Sequence, residues 1–224
     1  MSVPRQFLEF ALQCGALSFG DFTTRSGRQT PYFFDAGRFD RGPTLGKLAR
    51  FYAQTLLDAR AQGRIQFNML FGPAYKGIAL ASSTAVALAA MGLDVAFSYN
   101  RKERKDHGEG GQLIGAPLRG RVMIVDDVIT DGAAKREALD LLRAHGAQAA
   151  GVVIMLDRME RTGADGALSR LAAVQAFEHA TGVPVISIAN LDDLIGLLHS
   201  DSPLADAARQ HLSSIEAYRE RYGA

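Results

Sequence analysis

RVMIVDDVITDGAA, residues 121–134, is the stretch that decides the fold. Val122 to Val125 is a short, apolar, β-rich run, as expected of a central parallel strand buried on both faces. It ends on Asp126-Asp127, and ligands of open α/β sheets bind outside the carboxyl ends of such strands. Val128, Ile129, Thr130, Asp131, Gly132, Ala133 and Ala134 then make a glycine-containing turn before a helical period begins. Backbone N–H groups and the positive end of a helix favour an anion there. Two carboxylates beside an anion site repel a bare phosphate, so the ligand also presents hydroxyls or a metal. A ribose 5-phosphate meets both demands. The plainer alternative is a strand followed by a helix capped by Asp131, with both acids merely exposed.

Outward from this segment, strands and helices alternate. Phe67–Phe71, Asp94–Tyr99, Arg121–Val125, Gly151–Leu156 and Pro184–Ile188 read as strands. Gly77–Met91, Gly132–His145 and Leu168–Thr181 read as helices between them, with Gly146 ending the second. That order implies an α/β fold with a central parallel sheet flanked by helices. Before it lie an amphipathic helix that starts near Pro4 and stops at Gly15, short antiparallel strands across Gly20–Gly37, and a long helix from Thr44 to Ala61. Leu191–Leu198 and Leu204–Tyr222 read as C-terminal helices. The 224 residues are read as one domain, with a small hood formed by about residues 1–40 and part of the C-terminal region.

Lys plus Arg number 25 against 24 acids, so a net charge of +1 gives no support for a nucleic-acid or membrane-surface partner. The single cysteine, Cys14, is read as core filler and fits a reducing cytoplasm. The first fifteen residues do not read as a signal peptide. The apolar stretch Gly77–Phe97 is interrupted by Gly92 and Asp94 and reads as a buried helix rather than a membrane span.

Asn100 to Gly115, NRKERKDHGEGGQLIG, holds four glycines, seven charged residues and no apolar period. It is expected to be a mobile loop, and a loop of that length in a compact domain is usually functional. Arg101, Lys102, Arg104, Lys105 and His107 suit a lid closing over a polyanion. Preplaced cations there stabilise a leaving group that gains negative charge, and His107 can supply a proton. The bland reading is a solvated charge run. Phe71-Gly72-Pro73-Ala74-Tyr75-Lys76-Gly77 makes a second anion-binding helix start, with Lys76 as a clamp if it faces the cleft. Phe33 and Phe34 read as strand packing, and Arg158, at the end of a parallel strand, sits where it can take a carboxylate.

The 121–134 segment resembles the signature of type I phosphoribosyltransferases, except that Ala133 and Ala134 replace the hydroxyl residues common after the glycine. The string from Asn100 to Gly111 resembles the catalytic loop of the orotate phosphoribosyltransferase family, and the likeness extends from Gln6-Phe7 through Arg219. The resemblance implies a type I phosphoribosyltransferase fold and a pentosyltransferase of pyrimidine nucleotide synthesis. Its reaction would be orotate plus 5-phosphoribosyl-1-diphosphate (PRPP) giving orotidine 5-monophosphate and diphosphate. It places Asp126 and Asp127 on the ribose hydroxyls and the turn 128–134 around the 5-phosphate. Arg25, Tyr75, Lys76, Arg101, Lys102, Lys105 and His107 would meet PRPP, with Asp106 and Glu109 shaping the loop.

Phe33, Phe34, Thr130 and Arg158 would meet orotate. The resemblance further implies a non-proline cis bond in the 71–77 loop. It also implies Mg2+ carried mainly on the substrate, with no direct protein ligand, and a cytoplasmic homodimer whose loops complete each other's sites. A relative acting on a purine or uracil would have no use for Arg158. A non-enzymatic, nucleic-acid-binding regulator would show a basic face and an eroded loop.

Overall fold

The computed structural model describes residues 1–24, 27–105, 111–130, 132–163 and 167–224, with the backbone alone at Arg104 and Lys105. Helix α1 (Val3–Gln13) has Pro4 in its first turn and buries Phe7, Leu8, Phe10 and Ala11, the i, i+3, i+4 stripe of an amphipathic helix. Strands β1 (Leu17–Thr23) and β2 (Gln29–Phe34) pair antiparallel as a separate two-stranded sheet. Helix α2 (Gly42–Ala61) starts two residues before Thr44. Pro43 tolerates the first turn, where its missing N–H costs nothing, and Thr44 caps from inside by exchanging hydrogen bonds with the Arg41 backbone at 3.2 and 2.9 Å.

The main sheet comprises β3 (Met69–Gly72), β4 (Ala96–Lys105), β5 (Gly111–Gly115), β6 (Arg121–Val125), β7 (Gln148–Asp157) and β8 (Val185–Asn190). Their order is β5-β4-β3-β6-β7-β8, and all neighbours are parallel except β4 and β5. From β3 the chain moves outward to β4, then returns to β6 on the other side. The crevice between β3 and β6 is therefore the topological switch point, where the loops after those two strands must face each other.

Helices α3 (Lys76–Ala90), α4 (Ala133–Ala144), α5 (Ala173–Thr181), α6 (Leu191–His199) and α7 (Leu212–Tyr222) complete the elements. Met123 and Val125 of β6 point into the core built with α1, α2, α3 and α6. Val122 and Ile124 point the other way, into a second core with α4 and α5. This period-2 split explains why the 121–125 run is apolar at every position after the first. Helix α7 lies against β2, where the rings of Tyr218 and Tyr32 meet edge to face at 6.1 Å.

Three expectations need correction. Asn100–Gly115 is not a loop throughout, because β4 runs on to Lys105 and pairs with β5, Asn100 opposite Leu113 and Lys105 opposite Gly111. Ladder hydrogen bonds belong to the backbone, so an edge hairpin can carry charged side chains. The helix expected from Leu168 begins at Ala173, because Ser169 and Ala172 fold back on Thr162 and Arg161 instead. The helix expected over 204–222 divides into a 3-10 stretch, Pro203–His211, and α7.

The switch point is sterically tight. A Cβ on Gly72 would overlap the Gly77 carbonyl, and one on Gly77 would lie 2.6 Å from Pro73 Cδ and 2.9 Å from the Val125 carbonyl oxygen. Gly72→Ala should therefore destabilise the protein by about 3 kcal/mol, the upper range for overpacking. Urea unfolding measures this, and a loss below about 1 kcal/mol would show that the loop relaxes freely.

Candidate active site

Asp126 and Asp127 stand at the end of β6, 7 % and 9 % exposed. Each carboxylate is held by its own chain neighbour, since Asp127 N–H donates to Asp126 Oδ1 at 2.9 Å and Val128 N–H donates to Asp127 Oδ1 at 2.9 Å. Their second oxygens take lysines. Lys135 Nζ lies 2.5 Å from Asp126 Oδ2, and Lys76 Nζ lies 2.6 Å from Asp127 Oδ2. The two lysines differ in setting: the Lys135 side chain is buried, whereas that of Lys76 is 62 % exposed. From α2, the buried Tyr52 hydroxyl donates to the Asp126 carbonyl at 2.7 Å. Burial pushes the Asp126 carboxyl above its ordinary range, and the Lys135 ammonium opposes that rise.

Gly132 has φ of +72°, a left-handed conformation natural to glycine, and α4 starts immediately after it. Thr130 is exposed, whereas the Ile129 side chain is buried in the second core, so Ile129 offers a ligand only backbone atoms. Across the crevice, the Ala74–Tyr75 peptide bond is cis, and Ala74 N–H donates to Asn100 Oδ1 at 2.9 Å. That bond ties the β3–α3 loop to the charged hairpin. The Lys102 ammonium sits 5.1 Å from the Tyr75 ring centre, and Tyr75 is 70 % exposed. A cavity of about 280 Å3 lies between these parts, lined among others by Pro73, Ala74, Asn100, Lys102, Ala134 and Glu137. Arg101 is half-buried on β4.

A second cluster forms where β2, the segment after β7 and α7 converge. Arg158 donates to Glu160 Oε1 through Nε at 2.8 Å and lies 2.7 Å from it through Nη2. Nη2 also reaches Thr30 Oγ1 at 3.3 Å, and the guanidinium stands 4.9 Å over the Tyr32 ring. Glu160 further accepts the Tyr32 hydroxyl at 3.2 Å and pairs with Arg28 at 3.7 Å. Burial raises the Tyr32 hydroxyl well above its ordinary value, so it remains a donor. Phe33 and Phe34 alternate on β2: Phe33 is 43 % exposed beside Phe22, and Phe34 turns inward to Phe7 and Phe39. The two rings therefore cannot flank one ligand from the same face.

Of the residues singled out in the sequence, Asp126, Asp127 and Lys76 stand together at the crevice, whereas Lys102 lies over the Tyr75 ring on the charged hairpin. Arg25, Ser26, Asp106, His107, Glu109 and Asp131, and the side chains of Arg104 and Lys105, lie outside the described residues. Tyr52, Asn100, Lys135 and Glu160 were missed. Lys135 did carry a signal, because it precedes Ala138, Leu139 and Leu142 on the buried face of α4, where the helical period calls for an apolar residue. A charge there implies a buried partner. For Tyr52, no local pattern reveals a partner 74 residues away, and Glu160, though two residues from Arg158, bonds Tyr32 across 128 residues.

Residues 35–183 match the family model described as Phosphoribosyl transferase domain, which sets the class. An orotate phosphoribosyltransferase of Janthinobacterium sp. (strain Marseille) is 54 % identical over 98 % of this chain and 97 % of its own. One from Bordetella avium is 57 % identical over 97 % and 96 %. The crystal structure of the Francisella tularensis orotate phosphoribosyltransferase superposes with a TM-score of 0.82 at 33 % identity, covering 98 % of this chain and all of that one. This chain belongs to the orotate phosphoribosyltransferase family.

Removing Glu160 would leave two arginines partly buried and without their shared counter-ion. Glu160→Ala should therefore cost about 3 kcal/mol, the scale for breaking a buried ion pair from one side. Denaturant titration should find that loss, and a change under about 1 kcal/mol would show the cluster to be solvated.

Proposed function

We propose that this protein transfers the ribose 5-phosphate group from PRPP to orotate, giving orotidine 5-monophosphate and diphosphate, a step of pyrimidine nucleotide synthesis. The observation that carries the reading is the acidic pair at the switch point, facing a lysine-bearing loop and an anion-binding helix start, in a chain similar over its whole length to orotate phosphoribosyltransferases.

The turn from Val128 to Ala134 takes the 5-phosphate. Ala133 and Ala134 have no side-chain hydroxyls, so backbone N–H groups, Thr130 and the positive end of α4 supply the attraction. Asp127 faces the ribose hydroxyls, with Asp126 fixed beside it, and the two negative charges favour the positive charge that develops on the ring as the C1–oxygen bond to diphosphate breaks. Nitrogen N1 of orotate then forms the new bond to C1 and loses its proton, which the departing diphosphate can take, and the electron pair of the broken C1–oxygen bond leaves with diphosphate. Arg25, Tyr75, Lys76, Arg101, Lys102, Lys105 and His107 surround that leaving group, where cations count for more as its charge grows. Phe33, Thr130 and Arg158 hold orotate, with Arg158 directed at its carboxylate through donors that Glu160 does not consume, whereas Phe34, turned inward onto Phe7 and Phe39, is withdrawn from that contact.

Carboxylate oxygens are hard donors that suit Mg2+, but each of the two acids already has a lysine partner. That donor set fits an ion carried mainly on substrate oxygens, with Asp127, whose lysine partner is exposed, the acid that would face it. When bound, Mg2+ would neutralise charge on the diphosphate.

The active form in this reading is a homodimer in which each charged hairpin completes the neighbouring site. Tyr75 and Val86, 70 % and 72 % exposed at the start and on the body of α3, offer apolar surface for a second copy. The hairpin β1–β2 and the C-terminal segment act as the hood over the base. A net charge of +1 favours neither nucleic acid nor membrane as a partner, and the single cysteine suits the cytoplasm. Among the described residues, no helix is long and apolar enough to cross a membrane.

Assay with a panel of bases tests the reaction. Orotate should turn over, and uracil or hypoxanthine should react at least 100-fold more slowly; strong turnover of either with none of orotate would reject the assignment. Site sharing is tested by mixing Lys105→Ala chains with Asp127→Ala chains. Each alone should lose at least 100-fold in kcat, and the mixture should regain one working site per heterodimer. No recovery means that each chain is self-sufficient.

A further inference from the structure

Lys135 is a buried charge beside the acidic pair for which the reaction above has no use. It occupies the first turn of α4, where the helix dipole disfavours a cation, and it is 6 % exposed, where an ammonium loses its hydration. Both effects oppose a lysine at this position. It is accommodated because two oxygens receive it: Asp126 Oδ2 at 2.5 Å and the Val128 carbonyl at 2.6 Å. Apolar residues of similar volume often serve stability as well as a buried ion pair does. Stability alone therefore does not account for the lysine, whereas its two partners point to a task. They lie on either side of Asp127, and the ammonium fixes their separation.

We propose that Lys135 is a positioning residue for donor binding, a fixed internal cation that shapes the turn after Asp127 by holding the Asp126 carboxylate and the Val128 carbonyl together. The inference rests on reading that turn as the donor site.

The remaining bonds of the acidic pair agree with it. Both oxygens of the Asp126 carboxylate are engaged inside the protein, by Lys135 and by Asp127 N–H, and its carbonyl accepts the Tyr52 hydroxyl. Asp126 is thereby built in as a strut. The Asp127 outer oxygen is engaged by Lys76, whose mostly exposed side chain a ligand can displace. The pair is thus unequal, with Asp127 the carboxylate offered to the ribose and Asp126 the one that keeps the turn in shape. That shape matters because Ala133 and Ala134 offer no hydroxyl to a phosphate. Binding then depends on the directions of backbone N–H groups, which the strut and its lysine determine.

Lys135→Met keeps the length and removes the charge. The full-length protein should then show a rise of at least fivefold in KM for PRPP. The dissociation constant for ribose 5-phosphate, measured by calorimetry, should rise equally, with KM for orotate within threefold of wild type. Lys135→Arg, which keeps a cation, should bind ribose 5-phosphate more tightly than Lys135→Met. A smaller donor effect, a parallel rise in the orotate KM, or equal losses in the two variants would overturn the proposal.

If Lys135→Met does not fold, the double variant Asp126→Asn, Lys135→Met contains no lone buried charge. It should show the same loss of donor binding, and wild-type donor binding in it would also overturn the proposal. Asp127→Asn separates the two levels of the argument. If it leaves ribose 5-phosphate binding unchanged, the donor-site reading itself fails. If it abolishes binding while Lys135→Met does not weaken it, only the role of Lys135 fails.

Discussion

The close approach of α3 to the end of β6 is the constraint on which the rest of the site depends. Gly77 stands so near the Val125 carbonyl that a single added carbon would collide with it, and Gly72 stands equally near Gly77. Because no side chain separates them, the loop after β3 and the loop after β6 open into the same crevice. The parallel strands β3 and β6, in register from Met69 opposite Val122 to Phe71 opposite Ile124, set the height at which the two loops emerge. A donor with a phosphate at one end and a diphosphate at the other needs two anion sites at such a fixed separation.

Charge is distributed over this frame in matched pairs rather than as a positive bowl. Two acids meet two lysines at the donor crevice, and two arginines share one glutamate at the junction of β2, β7 and α7. In both places a buried or half-buried charge has its counter-ion within the chain, which keeps the desolvation cost of each site tolerable. The overall charge of +1 is thus compatible with strongly charged local chemistry.

The parts of the fold legible in the sequence were those whose residue types answer to local rules. The 121–125 strand coincides with its apolar run, and α3 and α4 fall within a residue of their expected limits, because a strand buried on both faces and an amphipathic helix each leave a period. The β4–β5 hairpin was not legible, because its ladder is made by backbone atoms while its side chains are charged. The site divides along the same line. Asp126, Asp127 and Lys76 stand next to strand ends and glycines that announce them. Tyr52 acts through a partner far away in sequence, and so does Glu160 in its contacts with Tyr32 and Arg28, although its other partner, Arg158, stands two residues away. Lys135 lies between the two cases, since a lysine on an apolar face is a local contradiction that a tertiary contact resolves.

The pairing of Lys105 with Gly111 limits how the charged hairpin can act. The strands β4 and β5 are joined at both ends of their pairing, from Ser98 opposite Gly115 to Lys105 opposite Gly111, with an irregular stretch between Asn100 and Lys105. β4 is in turn anchored along Ala96–Tyr99 to β3. The ribbon is in effect a short lever on a fixed hinge, so the charges of β4 travel with the ribbon as a unit rather than one by one.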